Sequence, residues 1–189
     1  MHHAMPAADD FTIRPATAAD VPAIAAIYGH HVRTGLASFE LEAPDVEEML
    51  RRHADIRGRG YPYLVATAGG RVLGYAYASA YRARPAYRFA VENSVYVDAA
   101  THRGGVGRAL LEALIGECVA RGYRQMVAVI GDSANAASIG LHAACGFTRI
   151  GTLPAIGWKR GRWVDSVLMQ RALDTGDATP PDHDPPGGP

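Results

Sequence analysis

The stretch richest in chemistry reads Ser94-Val95-Tyr96-Val97-Asp98-Ala99-Ala100-Thr101-His102-Arg103-Gly104-Gly105-Val106-Gly107-Arg108-Ala109-Leu110-Leu111. A β-branched run enters a glycine-rich turn, and the turn opens a helical pattern. Glycines let the backbone curl until successive N–H groups point into one concavity. The helix N-terminus adds unpaired donors and the positive end of its dipole. Arg103 and Arg108 add full charges. Such a cradle suits a pyrophosphate. It is not a P-loop, which needs Lys and then Ser or Thr where Arg108-Ala109 stand. Nor is it a dinucleotide fingerprint, because Leu110 occupies the place of a small third residue. The bland alternative is a glycine-rich strand-to-helix turn that binds nothing.

The elements around this turn must position it. Thr12 to Arg14 reads as a short strand. Thr17 with Asp20 has capping-box spacing, and a first helix runs from there to about Val32 with Pro22 in its first turn. Pro44-Asp45 opens a second helix whose inner stripe is expected at Val46, Met49, Leu50 and His53. Tyr63 to Thr67 and Val72 to Ser79 are strands joined by the hairpin turn Ala68-Gly69-Gly70-Arg71. Val91 to Val97 is a strand, and Gly107 to Arg121 a helix with an apolar side of Leu110, Leu111, Leu114, Ile115 and Cys118. A strand at Gln125 to Ile130, a short helix at Ala136 to Ala144, and strands at Thr148 to Leu153 and Trp163 to Gln170 complete the order. This is a mixed α/β pattern with a largely antiparallel front half, unlike the regular alternation of a doubly wound fold.

The chain has 189 residues, enough for one domain with a full core. Residues 1–10 are expected to be a flexible N-terminus, 11–173 the domain, and 174–189 a disordered tail, since DTGDATPPDHDPPGGP has almost nothing to bury. Lys and Arg (19) balance Asp and Glu (19), which speaks against general affinity for nucleic acid or anionic membrane. Cys118 and Cys145 lack metal-finger or CxxC spacing and read as reduced thiols of a cytoplasmic protein. No run is long and apolar enough to span a bilayer, and the first ten residues lack signal-peptide character.

With these motifs in order, the chain resembles the GNAT acetyltransferases. His102-Arg103-Gly104-Gly105-Val106-Gly107 stands where that family carries [Gln/Arg]-x-x-Gly-x-[Gly/Ala], with His102 in place of the usual Gln or Arg. Asn135 to Phe147, closing on Gly146-Phe147, looks like the segment after the next strand. The likeness narrows to the phosphinothricin and methionine sulfoximine acetyltransferase branch over roughly Phe11 to Leu173. It is carried by Tyr28-Gly29-His30-His31-Val32, Ser38-Phe39-Glu40, Arg82-Ala83-Arg84-Pro85-Ala86-Tyr87, Val91 to Val97, Leu141-His142, and Gly157 to Asp165. The resemblance implies a GNAT fold, α/β (α+β), with a central mixed, mostly antiparallel twisted sheet flanked by helices. It implies acetyl-CoA as co-substrate, no metal, and an amine acceptor. The branch is usually dimeric, which implies a homodimer with the late strands and the Trp158 to Trp163 turn near the partner.

The resemblance also implies roles. Asn135 and Ser138 would reach the pantetheine arm or the phosphates, although the same residues could simply cap the short helix. Glu92 would take the proton that an ammonium must lose before it can attack. Its alternative is an edge-strand charge facing solvent. Backbone N–H groups of Val95, Tyr96 and Val97 could stabilise the oxyanion. His142 would give the departing thiolate a proton, the alternative being a structural helix histidine. Arg82 and Arg84, two apart on an extended chain, suit an anionic substrate group, with Tyr87 as a further donor and Tyr28 and Phe39 as pocket walls. A Cys145–His142 acyl-transfer pair is disfavoured because the surrounding pattern of an arylamine-type acetyltransferase is missing, and a metal site from His30, His31, His142 and a cysteine because adjacent histidines diverge around a helix. The rivals that remain are another acceptor (a peptide N-terminus or a polyamine), a non-catalytic acyl-CoA-binding module, and a ligand-free structural domain.

Overall fold

The computed structural model describes residues 11–101 and 104–187. Seven strands and four helices follow in the order β1 (Thr12–Pro15), α1 (Val21–Thr34), α2 (Val46–Gly58), β2 (Tyr63–Ala68), β3 (Arg71–Ala80), β4 (Ala90–Val97), α3 (Val106–Ala120), β5 (Gln125–Gly131), α4 (Ala136–Ala144), β6 (Thr148–Lys159) and β7 (Arg162–Ala172). The strands form one sheet in the order β1-β2-β3-β4-β5-β7-β6. All neighbours are antiparallel except β4 and β5, which run parallel.

Two apolar layers sandwich the sheet. On one face α3 buries Leu110, Leu111, Leu114, Ile115 and Cys118 against Val91, Ala128 and Met169. On the other, α1 lays Val21, Ile24, Ile27, Tyr28 and Val32 on Val65 and Tyr75. The α3 stripe is the one its periodicity predicts. The α2 stripe is not: Met49 and His53 are buried, but Val46 and Leu50 are 40% and 36% exposed. The helix turns inward along Met49, His53 and the partly buried Ile56. Leu50 and Met49 are neighbours in sequence, about 100° apart around the helix, so both cannot face the sheet.

The hairpin turns follow their residues. Gly69 and Gly70 both take positive φ, 54° and 76°, as a two-residue turn between strands demands. Arg160 and Gly161 do the same between β6 and β7. Strand β6 is longer than its hydrophobic run, continuing past Pro154 to Lys159 through register shifts at Arg149/Gly151 and Leu153/Gly157. A proline fits there because β6 is an edge strand with one unpaired side.

Residues 174–187, whose composition predicts disorder, lie against the domain. Arg88 pairs with Asp184 at 2.7 Å, and Arg124 donates to Thr179. Gly187 accepts from the Tyr61 hydroxyl (3.2 Å) and donates to that of Tyr123 (3.1 Å). Composition registers only what a segment can bury, and these contacts are made by backbone and side-chain polar groups instead.

Candidate active site

The pairing of β4 with β5 is short. It runs from Ala90 opposite Gln125 to Asn93 opposite Ala128, whereas β4 continues to Val97 and β5 to Gly131. Past Asn93 the two strands carry no mutual pairing, and the sheet opens there. A cavity of about 480 Å³ occupies the opening. Its walls come from β4 (Glu92 to Tyr96), β5 (Ala128 to Gly131), the segment Ala37 to Glu40, Tyr28 and Tyr77, and from α4 Asn135, Ser138 and His142.

Alternation along β4 decides what reaches the cavity from which side. Val91, Val95 and Val97 belong to the α3 face, and Asn93 shares their parity. Tyr96 packs on the α1 face, so Glu92 and Ser94 point that way. Glu92 stands opposite Ser79 on β3 and Val127 on β5, in the middle of the sheet, which removes the edge-strand alternative. Burial pushes its carboxyl up, and the positive charge of Arg82 works in the opposite direction. His142 enters from the α3 face on α4 and is buried. Its Nδ1 lies 2.8 Å from the Ser138 carbonyl oxygen and its Nε2 3.0 Å from Asn93 Oδ1. Burial lowers its proton affinity, against a smaller upward effect of the Ser138 carbonyl.

The glycine-rich turn adjoins this opening. Gly105 takes φ 71° at the N-terminus of α3, and a Cβ there would meet nothing. The Ala109 N–H bonds the Gly105 carbonyl at 2.9 Å, so the amides of Val106, Gly107 and Arg108 before it have no carbonyl within the helix. These donors, with Gly104, fit a pyrophosphate. Arg108 is an exposed side chain paired with Glu112 at 2.8 Å. His102 and Arg103 lie outside the described residues. Asn135 accepts the Ser138 N–H at 3.1 Å, capping α4, and both residues also line the cavity.

A further wall of the cavity is built by the segment between α1 and α2. Ser38 is clamped from two directions: Lys159 Nζ donates to its carbonyl at 2.6 Å, and its hydroxyl meets the Tyr28 hydroxyl at 2.8 Å. Tyr28 also donates to Glu40, which Arg52 holds at 2.6 Å. Gly131 and Gly157 make room for this segment. A Cβ on Gly131 would lie 2.4 Å from the Leu36 carbonyl, and one on Gly157 would lie 2.1 Å from the Phe39 ring. Tyr28 and Phe39 therefore stand in the cavity with Glu92 and His142. Arg82, Arg84 and Tyr87 do not line it; they sit exposed on the β3–β4 connection, with the Arg82 guanidinium 4.7 Å from the centre of the Tyr81 ring.

Sequence reasoning missed Asn93, Glu40, Tyr77 and Lys159. Alternation within Val91 to Val97 could have flagged Asn93, a polar residue between two apolar ones on a face that must be buried. Lys159 carries no local signal, because its partner lies 121 positions away. The Cys145–His142 pair finds no support: burial pushes the Cys145 thiol up, away from the thiolate that a nucleophile needs. Among the described residues no group of three or more His, Cys, Asp or Glu could hold a metal ion.

The model of the Acetyltransferase (GNAT) family matches residues 26–147. Phosphinothricin N-acetyltransferase of Alcaligenes faecalis is 54% identical over 171 residues, covering 90% of this chain and 87% of that one. L-methionine sulfoximine/L-methionine sulfone acetyltransferase of Pseudomonas aeruginosa is 46% identical over 167 residues, covering 86% of this chain and 95% of that one. Among solved structures, a GNAT superfamily phosphinothricin acetyltransferase from Sinorhizobium meliloti in complex with acetyl-CoA superimposes with a TM-score of 0.88 at 48% identity, over 92% of this chain and 94% of that one.

Proposed function

The chain belongs to the GNAT acetyltransferase family and is an acetyl-CoA-dependent N-acetyltransferase, and on that footing we propose that its acceptor is the amine of a small amino-acid-like molecule of the phosphinothricin or methionine sulfoximine kind. One observation carries the reading: a single cavity through the split sheet has Glu92 on one side and His142 on the other. Acetyl-CoA supplies an activated acetyl thioester. The amides of Gly104 to Arg108 hold its pyrophosphate, and Asn135 and Ser138 flank its arm. The β4 backbone at Val95, Tyr96 and Val97, free of β5, is available to orient the thioester and to bind developing negative charge. His102 and Arg103 remain assigned to the same anion by the motif alone.

Glu92 takes the ammonium proton, directly or through water, and His142 protonates the departing thiolate. No covalent enzyme intermediate is needed. Tyr28 and Phe39 wall the acceptor. Arg82, Arg84 and Tyr87 are assigned to the acceptor's anionic group, as a loop that must fold inward or meet a long substrate at the rim. Among the described residues no helix is long and apolar enough to cross a membrane. Two buried, unpaired thiols support a reducing, cytoplasmic setting.

The test is release of free thiol from acetyl-CoA by the purified protein, with phosphinothricin, methionine sulfoximine, several L-amino acids, a polyamine and a short peptide as acceptors. Turnover confined to the amino-acid analogues is the expected result. Turnover of the peptide or polyamine alone would overturn the acceptor assignment and leave the family untouched.

A further inference from the structure

The imidazole of His142 is held at both nitrogens by oxygen. Nδ1 faces the Ser138 carbonyl at 2.8 Å, with the Ser138 hydroxyl farther off at 3.5 Å. Nε2 faces Asn93 Oδ1 at 3.0 Å. The orientation of the Asn93 amide follows from its other contact: Nδ2 donates to the Val127 carbonyl at 3.1 Å, a place only an N–H can fill. A neutral imidazole has one N–H. If that hydrogen is on Nδ1, the Nε2 lone pair confronts Oδ1. If it is on Nε2, the Nδ1 lone pair confronts the Ser138 carbonyl. Turning the amide over satisfies Nε2 but sets Oδ1 against the Val127 carbonyl. Every neutral arrangement leaves two acceptors facing each other in a buried place, where such a mismatch is costly. A ring protonated at both nitrogens satisfies all three contacts.

We propose that Asn93 is a positioning residue for the reaction: its side-chain oxygen, fixed by the Val127 carbonyl, holds the proton on Nε2 of His142 where β4 and β5 part. This rests on the reading of His142 as the leaving-group acid. Burial favours the neutral ring, against a smaller opposing effect of the Ser138 carbonyl; the Asn93 oxygen, 3.0 Å from Nε2, is the further group proposed to oppose it. The amine nitrogen gives up one proton before it bonds to the acetyl carbon and a second after, both passing through Glu92 to solvent; as the C–S bond breaks, its electron pair stays on sulfur and takes the Nε2 proton of the imidazolium, which the Asn93 oxygen releases to it. The neutral ring then sits among mismatched acceptors, which favours its reprotonation from solvent before the next turnover. The titratable groups nearest in the fold are Glu92 from β4 across the same cavity and Cys145 at the end of α4, which itself feels Glu112 and Arg108 on α3. The Phe147 ring meets the imidazole edge-on at 5.0 Å. Among the described residues, none of these is hydrogen-bonded to the imidazole.

The experiment follows the His142 ring by proton–nitrogen NMR across pH in wild type, Asn93→Leu and Asn93→Asp, with His142→Gln to assign the signal. Asn93→Leu should lower the ring's titration midpoint by about one unit or more, a tenfold loss of proton affinity. Asn93→Asp should raise it, and the alkaline limb of kcat should move the same way in each variant. If Asn93→Leu is unfolded by circular dichroism, Asn93→Thr takes its place. An unmoved midpoint in a folded variant overturns the proposal. Wild-type kcat in His142→Gln would overturn the acid reading on which it rests, and the midpoints would still be measured independently.

Discussion

Glu92 and His142 are shifted towards each other by the same physical cause. Burial raises the carboxyl and lowers the imidazole, because each loses water around its charged form. In the proposed mechanism the base acts as carboxylate, so its contribution is lost as pH falls through its raised pKa. The acid acts as imidazolium, so its contribution is lost as pH rises through its lowered pKa. The profile of kcat/KM against pH should therefore be a bell narrower than ordinary carboxylate and imidazole values would give. Glu92→Gln should abolish the acidic limb and lower kcat about 10²- to 10⁴-fold. The same variant should be no less stable at neutral pH, and thermal melting should show it equal to or above wild type. A raised carboxyl pKa means that folding favours the neutral group, so removing the charge relieves a cost present above that pKa. A variant that melts well below wild type would show that Glu92 holds the fold rather than the proton.

At the scale of elements, what positions the acceptor wall is three distant glycine and lysine contacts on one short segment. Gly157→Ala would drive a methyl group into the Phe39 ring, and the ring or the β6 backbone must yield. The expected result is a KM for the acceptor raised several-fold with the KM for acetyl-CoA unchanged, read by steady-state kinetics with each substrate varied. Equal changes in both would locate the damage in the sheet rather than in the wall. These contacts explain what could be read in the sequence and what could not. Gly69-Gly70 announced its turn because the demand for positive φ is local. The α3 stripe was legible because Leu110, Leu111, Leu114, Ile115 and Cys118 at helical spacing leave no choice of face. The α2 stripe was misread because Val46, Met49, Leu50 and His53 fit one template while the sheet selects another, and the Phe39–Gly157 fit exists only after β6 has folded past residues 36–40.

For the whole molecule, two surfaces matter. Strand β6 is one edge of the sheet, and Ile150, Ile156, Trp158 and Trp163 on the last hairpin are 55–62% exposed. Large exposed apolar side chains at a sheet edge suit a partner. We expect a homodimer through it, and sedimentation should show Trp163→Asp shifted towards monomer; an unchanged wild-type dimer would put the interface elsewhere. The second surface is the tail. Ending the chain after Leu173 removes both tyrosine contacts of Gly187, the Arg88–Asp184 pair and the Arg124 bonds to Thr175, Thr179 and Pro180. The two neutral hydrogen bonds of Gly187 alone are worth about 2 kcal/mol, the exposed ion pair adds little, and the Arg124 bonds add to the loss. The melting temperature should fall by at least about 4 °C with kcat unchanged, while an unaltered melt would show the segment to be idle. The domain's order of elements was legible in its periodicities. The tail's docking was not, since nothing in a Pro- and Gly-rich run says which hydroxyls it will find.

The split between β4 and β5 has one more consequence. Glu92 and His142 reach the cavity from opposite faces of the sheet. In the proposed mechanism the sheet is a partition with a slot in it, and the two halves of the reaction meet there from either side. A molecule joining an amino-acid amine covalently to the thiol end of CoA would engage both faces at once, and should bind more tightly than either half alone because the second contact is made within one molecule.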